Sequence, residues 1–193
     1  MPAIEPTPPS RIDVERNRRM LLDAAANALA RNPDVSMSQV AQAAGLTRAT
    51  LYRHFDSRAK LLEAMRAEAL AQAAEVISEA HLDQGTALEA LHRVIEAVAS
   101  LSERFRPLLI EGTDLGPTFL HQRAEVFAPL RDVVRRGQEA GLIRVDLPPQ
   151  WIVTVMASIL AAAVRDSGVL PEGGPGVADL VFGTLARGIE VTP

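Results

Sequence analysis

Residues 36–55 read SMSQVAQAAGLTRATLYRHF, and the order of polar, apolar and glycine positions in this stretch decides the fold. Ser36 precedes Gln39 by three residues, the spacing of a capping box: the Ser hydroxyl accepts from a first-turn N–H while the Gln side chain reaches back to the cap. A helix therefore starts here. Val40 and Ala44 form its inward face, and Gly45 ends it, because glycine enters the left-handed region without penalty. Leu46 plugs the corner and Thr47 caps a second helix. On that helix Leu51 and Phe55 lie one turn apart and face inward, leaving Arg48, Ala49, Thr50, Tyr52 and Arg53 on or near the open face. Such a face suits a DNA major groove. Arg reaches guanine O6 and N7 together, Ala or Thr touches a thymine methyl, and Thr or Tyr hydroxyls bond phosphates.

Leu21 through Leu62 resembles the DNA-binding domain of the TetR family of bacterial transcriptional regulators. The resemblance rests on the leading helix MLLDAAANALA, on VAQAAGLTRATLYRHF with its Leu51-Tyr52 and His54-Phe55 pairs, and on the following SRAKLL. It implies phosphate contacts for Tyr52, His54 and Arg58 or Lys60, and a DNA-binding set completed by Ser36, Ser38, Thr47, Arg48, Ala49, Thr50 and Arg53. Three positions depart from the family pattern. Asn32-Pro33-Asp34 replaces the glycine that ends the first helix, Arg58 stands where lysine is usual with Lys60 two residues on, and Met37 occupies a place where a small polar residue is common. The implied fold is all-α: an N-terminal three-helix DNA-binding domain with a helix-turn-helix, and a C-terminal helical bundle for dimerisation and ligand binding. The expected division is a disordered arm at 1–13, the DNA-binding domain at 14–60 and the helical body at 61–193.

Charge is divided along the chain. The formal net charge is −4, which by itself argues against a polyanionic partner. Residues 1–66, however, hold ten Lys or Arg against seven acids, and 67–193 hold ten against seventeen. A local basic patch is what counterion release requires, and the acidic remainder keeps the wrong face off a duplex. The prolines of Met1 to Ser10 suit a disordered arm, and Arg11, Arg16, Arg18 and Arg19 then give the first helix a charged entrance, read as a solvated face with a direct phosphate or minor-groove contact as the alternative.

The remainder reads as helices. Leu61, Leu62, Met65, Ala69, Ala73, Val76 and Ile77 form a ladder that predicts a helix of about 20 residues after Ser57. Leu88, Leu91, Ile95 and Val98 predict another, ending before Pro107, with a short element over 107–111. A helix over 118–138 is expected to kink at Pro129 and to close at Gly141 with a Schellman turn. Pro148-Pro149 opens a helix whose apolar residues cover most of its circumference, which implies burial on more than one side. After a loop at 168–176, the last helix is expected over 177–189.

Two apolar C-terminal helices suggest a homodimer packed as a four-helix interface, with Ile152, Val155, Ile159, Leu160, Leu180, Val181, Thr184 and Leu185 as its candidates. Two recognition helices about 34 Å apart would then read a palindromic operator in double-stranded DNA. The family resemblance implies an unidentified small-molecule effector in the body; His92, Phe105, Glu111, Phe119, His121, Phe127, Trp151 and Met156 are the candidate contacts. Aromatic residues make up 4% of the chain, too few for a rich aromatic cage around a cation.

Other chemistries find little support. With no cysteine, disulfide scaffolds and thiolate chemistry are excluded. His92/Glu96 and His121/Glu125 are helical i, i+4 pairs without a third ligand, so no metal and no cofactor are expected. No G-x-S-x-G elbow occurs, and the glycines at 173, 174 and 176 lack the lysine of a phosphate loop. The longest apolar run, Trp151 to Val164, spans 14 residues, too short for a bilayer, and MPAIEPTPPS lacks an apolar signal core. A non-enzymatic, cytoplasmic regulator, most simply a repressor, is the expectation. A helical small-molecule- or protein-binding dimer with a vestigial DNA head is the alternative.

Overall fold

The computed structural model describes residues 11–32, 34–110, 116–166 and 176–189, with side chains at 18, 21–32, 34–101, 116–166 and 176–189. Among the described residues the chain forms nine α-helices and no strand: α1 (Arg11–Arg31), α2 (Met37–Ala43), α3 (Arg48–His54), α4 (Arg58–Glu79), α5 (Ala87–Ile110), α6 (Gly116–Val126), α7 (Leu130–Glu139), α8 (Pro149–Arg165) and α9 (Val177–Ile189). Residues 11–13, expected in the arm, are helical; Met1 to Ser10 and the loop at 167–175 lie outside the described residues. The chain divides into two compact units, Met1–Met65 and Arg66–Pro193. The division falls inside α4, whose Leu61, Leu62 and Met65 are buried and belong to the first unit.

The first unit is built on a small apolar core. Leu21, Leu22, Ala25, Ala26 and Leu29 of α1 are buried, as are Val40 and Ala41 of α2, Leu51 of α3 and Phe55 after it. Ala44, expected inward, is half-buried and Ala41 takes the buried place beside Val40. The reason is that Ala44 has become the C-cap, where the helix is already unwinding into its turn. Asn32 and Asp34 mark the end of α1 without a glycine. Asn32 N–H donates to Ala28 O at 3.0 Å, and its side-chain oxygen accepts from Asp34 N–H at 3.1 Å, an Asx-type stop.

In the second unit α5 is central, packing against α7, α8 and α9, while α8 also packs against α7 and α9. Its buried stripe of Ala87, Leu91, Val94, Ile95 and Val98 joins Leu130, Val134, Ile152, Met156, Leu160, Val181 and Leu185 in one core. A capping box opens α5: Thr86 N–H donates to Glu89 Oε2 at 2.8 Å and Glu89 N–H to Thr86 Oγ1 at 3.2 Å. Those backbone and hydroxyl hydrogen bonds from Thr86 hold the Glu89 carboxyl below its ordinary pKa. Arg93, two turns into α5, donates to Ala80 O, His81 O and Gln84 O at 3.1, 2.8 and 2.7 Å, and so satisfies carbonyls beyond the C-terminal end of α4.

Two expected boundaries differ. The helix of Leu91 and Ile95 does not stop before Pro107 but runs to Ile110, so the short element expected at 107–111 is its last turn as far as residue 110. A proline removes one N–H and crowds the preceding turn, which makes a helix end there the usual outcome rather than a necessary one. The helix expected over 118–138 is two helices, α6 and α7, separated by a turn at Phe127–Pro129. Phe127 O accepts from Leu130 N–H at 3.1 Å and Ala128 O from Arg131 N–H at 3.0 Å, so the ladder tightens into i, i+3 bonds around Pro129 and restarts as α7.

Gly141, at φ +71°, closes α7 as expected, with Leu142 N–H donating to Gly137 O at 2.9 Å and Gly141 N–H to Gln138 O at 3.1 Å. Gln138 Nε2 then holds the next loop through Arg144 O and Leu147 O at 2.9 and 2.8 Å. Gly137 itself permits the α5–α7 approach: a Cβ there would stand 2.6 Å from Ile143 Cδ1 and 2.7 Å from Ala87 Cβ. Ala87 has no rotamer by which to yield. Gly137→Ala is therefore expected to lower stability by about 1 to 3 kcal/mol despite alanine's better helix propensity, read as a lower urea midpoint with unchanged m-value.

Candidate functional site

The segment 36–55 folds as a cap, a helix, a corner and a second cap. Gln39 N–H donates to Ser36 Oγ at 3.3 Å and Ser36 N–H to Gln39 Oε1 at 2.9 Å, completing the capping box. Gly45 sits at φ +68°. Leu46 N–H donates to Ala41 O at 2.8 Å and Gly45 N–H to Gln42 O at 3.0 Å, the paired bonds of a Schellman turn. Thr47 Oγ1 then accepts from Thr50 N–H at 3.1 Å and lies 2.9 Å from Thr50 Oγ1. The two hydroxyls are thus engaged at the start of α3.

Leu51 at 0% and Phe55 at 5% exposure anchor α3, and Arg48, Ala49, Tyr52, Arg53 and His54 are exposed, with Thr50 half-buried. The Arg48 guanidinium carbon lies 5.2 Å from the centre of the Tyr52 ring, a cation–π distance that gives the arginine a preferred position on the helix. Ser36 and Ser38 are exposed at the start of α2, whereas Met37 is buried, so its side chain serves the core. Chemically this surface offers a guanidinium pair, a phenol, an imidazole and hydroxyls, and no carboxylate in the whole of α3.

Arg58 and Lys60 behave differently. The half-buried Arg58 turns back and its Nη1 donates to Val35 O, tying the start of α4 to the segment before α2. Lys60 is exposed and its Nζ lies 2.7 Å from Glu63 Oε2; that hydrogen bond and charge hold the ammonium pKa above its ordinary value. Arg18 is half-buried, and the side chains of Arg11, Arg16 and Arg19 lie outside the described residues.

Two grooves of the body are lined by described residues. One, of about 130 Å³, lies between α8 and α9 and is lined by Leu147, Trp151, Val155, Ile159, Thr184 and Gly188 over a floor of buried Ile152, Leu185 and Ile189. The other, of about 260 Å³, lies between α6 and α8, with Leu120, Arg123, Ala124 and Phe127 facing Gln150, Val153, Thr154 and Ala157. Of the effector candidates among the described residues, Phe127 alone lines this second groove. Met156 is fully buried core, Phe119 is half-buried and His121 exposed. Trp151 is 56% exposed and belongs to the α8/α9 groove. The His92 ring packs 4.4 Å from the Phe182 ring, with Nε2 3.8 Å from Glu96 Oε1. The Phe105 side chain and Glu111 lie outside the described residues.

Sequence reading missed Arg123, although Leu120, Arg123, Ala124 and Phe127 stand at i, i+3, i+4 and i+7, a cation set inside an apolar stripe. Among the eight dimer candidates, Ile152, Leu160, Val181 and Leu185 are buried in the core of the single chain, while Val155, Ile159 and Leu180 are half-buried and Thr184 is exposed. A helix apolar on nearly all sides gives no phase from which to tell its inner face from its outer one. Among the described residues no three His, Asp or Glu side chains come together as a metal site, and no helix is long and apolar enough to cross a membrane.

Comparison with known proteins follows the same division. Residues 21–65 match the family model of bacterial regulatory proteins, tetR family. The chain is similar to the HTH-type transcriptional repressor LfrR of Mycolicibacterium smegmatis, 28% identical over 187 residues that cover 93% of each chain. It is also similar to the HTH-type transcriptional regulator NfxB of Pseudomonas aeruginosa, 27% identical over 133 residues covering 66% of this chain and 70% of that one. The crystal structure of LfrR in complex with proflavine superimposes with a TM-score of 0.72 at 26% identity, covering 93% of this chain and 99% of that chain. With the capped helix-turn-helix inside the segment that matches the family model and a repressor matched along nearly its full length, the chain carries a TetR-family DNA-binding domain and is a DNA-binding transcriptional regulator.

Proposed function

We propose that this regulator is a homodimeric repressor that holds a palindromic operator and leaves it when a small molecule binds the helical body. The observation that carries the reading is the face of α3, where Leu51 and Phe55 are buried while Arg48, Ala49, Tyr52 and Arg53 remain exposed. Arg48 is the candidate base reader, steadied by Tyr52 beneath it. Thr50 and Ala49 offer methyl contacts to thymine, and Tyr52, Arg53, His54 and Ser38 offer phosphate contacts. The hydroxyls of Ser36 and Thr47 act first as caps, so their part in binding is to fix the two helices that meet the duplex. Between the two basic residues of the α4 start, Lys60 is the phosphate contact, since Arg58 is occupied within the protein. Glu63 holds Lys60 only at the surface, and a phosphate replaces such a partner at little cost.

The apolar α8/α9 groove supports the dimer. Trp151, Val155 and Ile159 would meet their counterparts across a two-fold axis, which pairs two heads and gives the operator its symmetry. LfrR, with proflavine bound in its crystal structure, supports a small-molecule effector, and the α6/α8 groove is the open space for one here. A ligand with higher affinity for a state whose heads no longer match the groove spacing releases the operator by population shift.

Selection of randomised duplex DNA on the purified protein is expected to enrich a palindrome; enrichment of a single unpaired half-site would overturn the paired operator. On the selected site, Arg48→Ala is expected to relax specificity at one base pair by about 1 to 3 kcal/mol. Lys60→Gln should weaken all sequences alike and reduce the salt slope by about one. Arg58→Gln should leave that slope unchanged and lower the thermal midpoint instead. For the dimer, Val155→Asp is expected to give a folded monomer by sedimentation and to abolish high-affinity operator binding.

A further inference from the structure

We propose that the groove between α6 and α8 is a site for an amphipathic organic carboxylate, its anionic end held by Arg123 and its hydrocarbon part by Leu120, Phe127 and Val153. The proposal rests on the reading that the body takes a small-molecule effector, and it names the chemistry of that molecule.

Arg123 differs from several other arginines of the body. Arg93 reaches three carbonyls, Arg131 donates to Gln150 Oε1 at 3.0 Å, Arg135 pairs with Asp132 at 2.6 Å and Arg144 with Asp146 at 2.6 Å. Arg123 lines the groove half-buried, and among the described residues no acceptor side chain or carbonyl meets its guanidinium. Burial pushes its pKa below the ordinary arginine value, and among the described residues no neighbouring anion restores it. A guanidinium stays charged in a protein, so burial without a partner leaves a desolvation cost that an anion in the groove would remove.

The rest of the groove fixes what kind of anion. Its walls are Leu120, Ala124, Phe127, Val153 and Ala157. Leu120 is 45% exposed, and α6 has no buried residue among those of its own span, so apolar surface stands open to water on one side of the groove. Covering it requires a hydrocarbon part, whereas a free inorganic anion would leave it wet. One cation lines the groove, so a singly charged head is balanced and a dianion is not. Gln150 and Thr154 add neutral polarity at the α8 side: the Gln150 amide nitrogen makes a long, 3.4 Å contact to Thr154 Oγ1, which leaves a donor in the lining for a polar head. A cationic ligand would stand beside an uncompensated guanidinium, and this groove selects against it.

Calorimetric titration of the full chain without DNA, using octanoate, octan-1-ol and octylammonium, tests the site. Octanoate is expected to bind one per chain, about tenfold or more tighter than the alcohol or the amine. Arg123→Gln should abolish that preference and Arg123→Lys should keep it. Thr154→Glu, at an exposed position, should place a competing carboxylate by the groove and suppress octanoate binding even if Arg123→Gln fails to fold. No octanoate binding, equal binding of the alcohol, tighter binding of the amine, or a preference untouched by either Arg123→Gln or Thr154→Glu would overturn the proposal. Repeating the titration on operator-bound protein separates the two readings. Octanoate that binds through Arg123 and leaves the operator in place sinks the effector reading alone; release by another compound, with octanoate inert, sinks this one alone.

Discussion

Two helices of seven residues each, α2 and α3, cannot hold their shape by propensity, because a helix that short never recovers the cost of its nucleus. Everything this regulator does at DNA depends on how that deficit is met. Three local devices meet it in sequence: the Ser36–Gln39 box, the left-handed Gly45 with its paired hydrogen bonds, and the Thr47 cap. Each satisfies N–H or C=O groups that a helix end leaves orphaned. Burial of Val40, Ala41, Leu51 and Phe55 then fixes the crossing of the two helices. The outward face of α3 inherits this rigidity, so Arg48 and Tyr52 are presented to a duplex without the entropy cost of ordering a loop.

The same dependence explains which parts of the fold were legible in the sequence. Caps and corners are written in single residues whose chemistry admits few alternatives, so Ser36, Gly45, Thr47, Gly141 and Pro149 marked their boundaries as the structure has them. Proline is less decisive. Pro107 lies within α5 while Pro129 accompanies a break between α6 and α7, and nothing in either heptapeptide around them states which will happen, because the outcome depends on what the flanking turns can pack against. Long-range contacts were the least visible. That Arg58 would reach back to Val35 O, 23 residues earlier in the chain, follows from the closeness of α4 to the segment before α2, which only the assembled fold creates.

The candidate sites divide along the same line. At the head, spacing and site coincide, because the residues on one face of one short helix are consecutive in sequence. In the body a groove is made by two helices at once, and a periodicity of 3.6 within one helix carries no information about its neighbour. Aromatic side chains attracted attention there, yet Met156 and His92 serve packing and Trp151 opens on α9, as apolar residues on amphipathic helices usually do. The more telling residue was a charged one in an apolar stripe. A single arginine at position 123 reads as surface in sequence and becomes conspicuous only in the assembled fold, where it lines a groove and no acceptor among the described residues meets it.

Electrostatics links the two units without any contact between them having to be invoked. An excess of positive charge in residues 1–66 and of negative charge beyond orients the molecule toward a polyanion and repels nonproductive approach. The acidic body, however, would also repel a small anionic ligand at long range. Such repulsion acts over a Debye length of about 8 Å at physiological salt, so it slows encounter more than it weakens a bound state. A desolvated guanidinium inside a groove is screened far less, and its attraction operates where the ligand rests rather than where it approaches. Affinity in such a site is therefore set by the cation in the groove and by the hydrocarbon surface around it, and the net charge of the whole chain has no bearing on either.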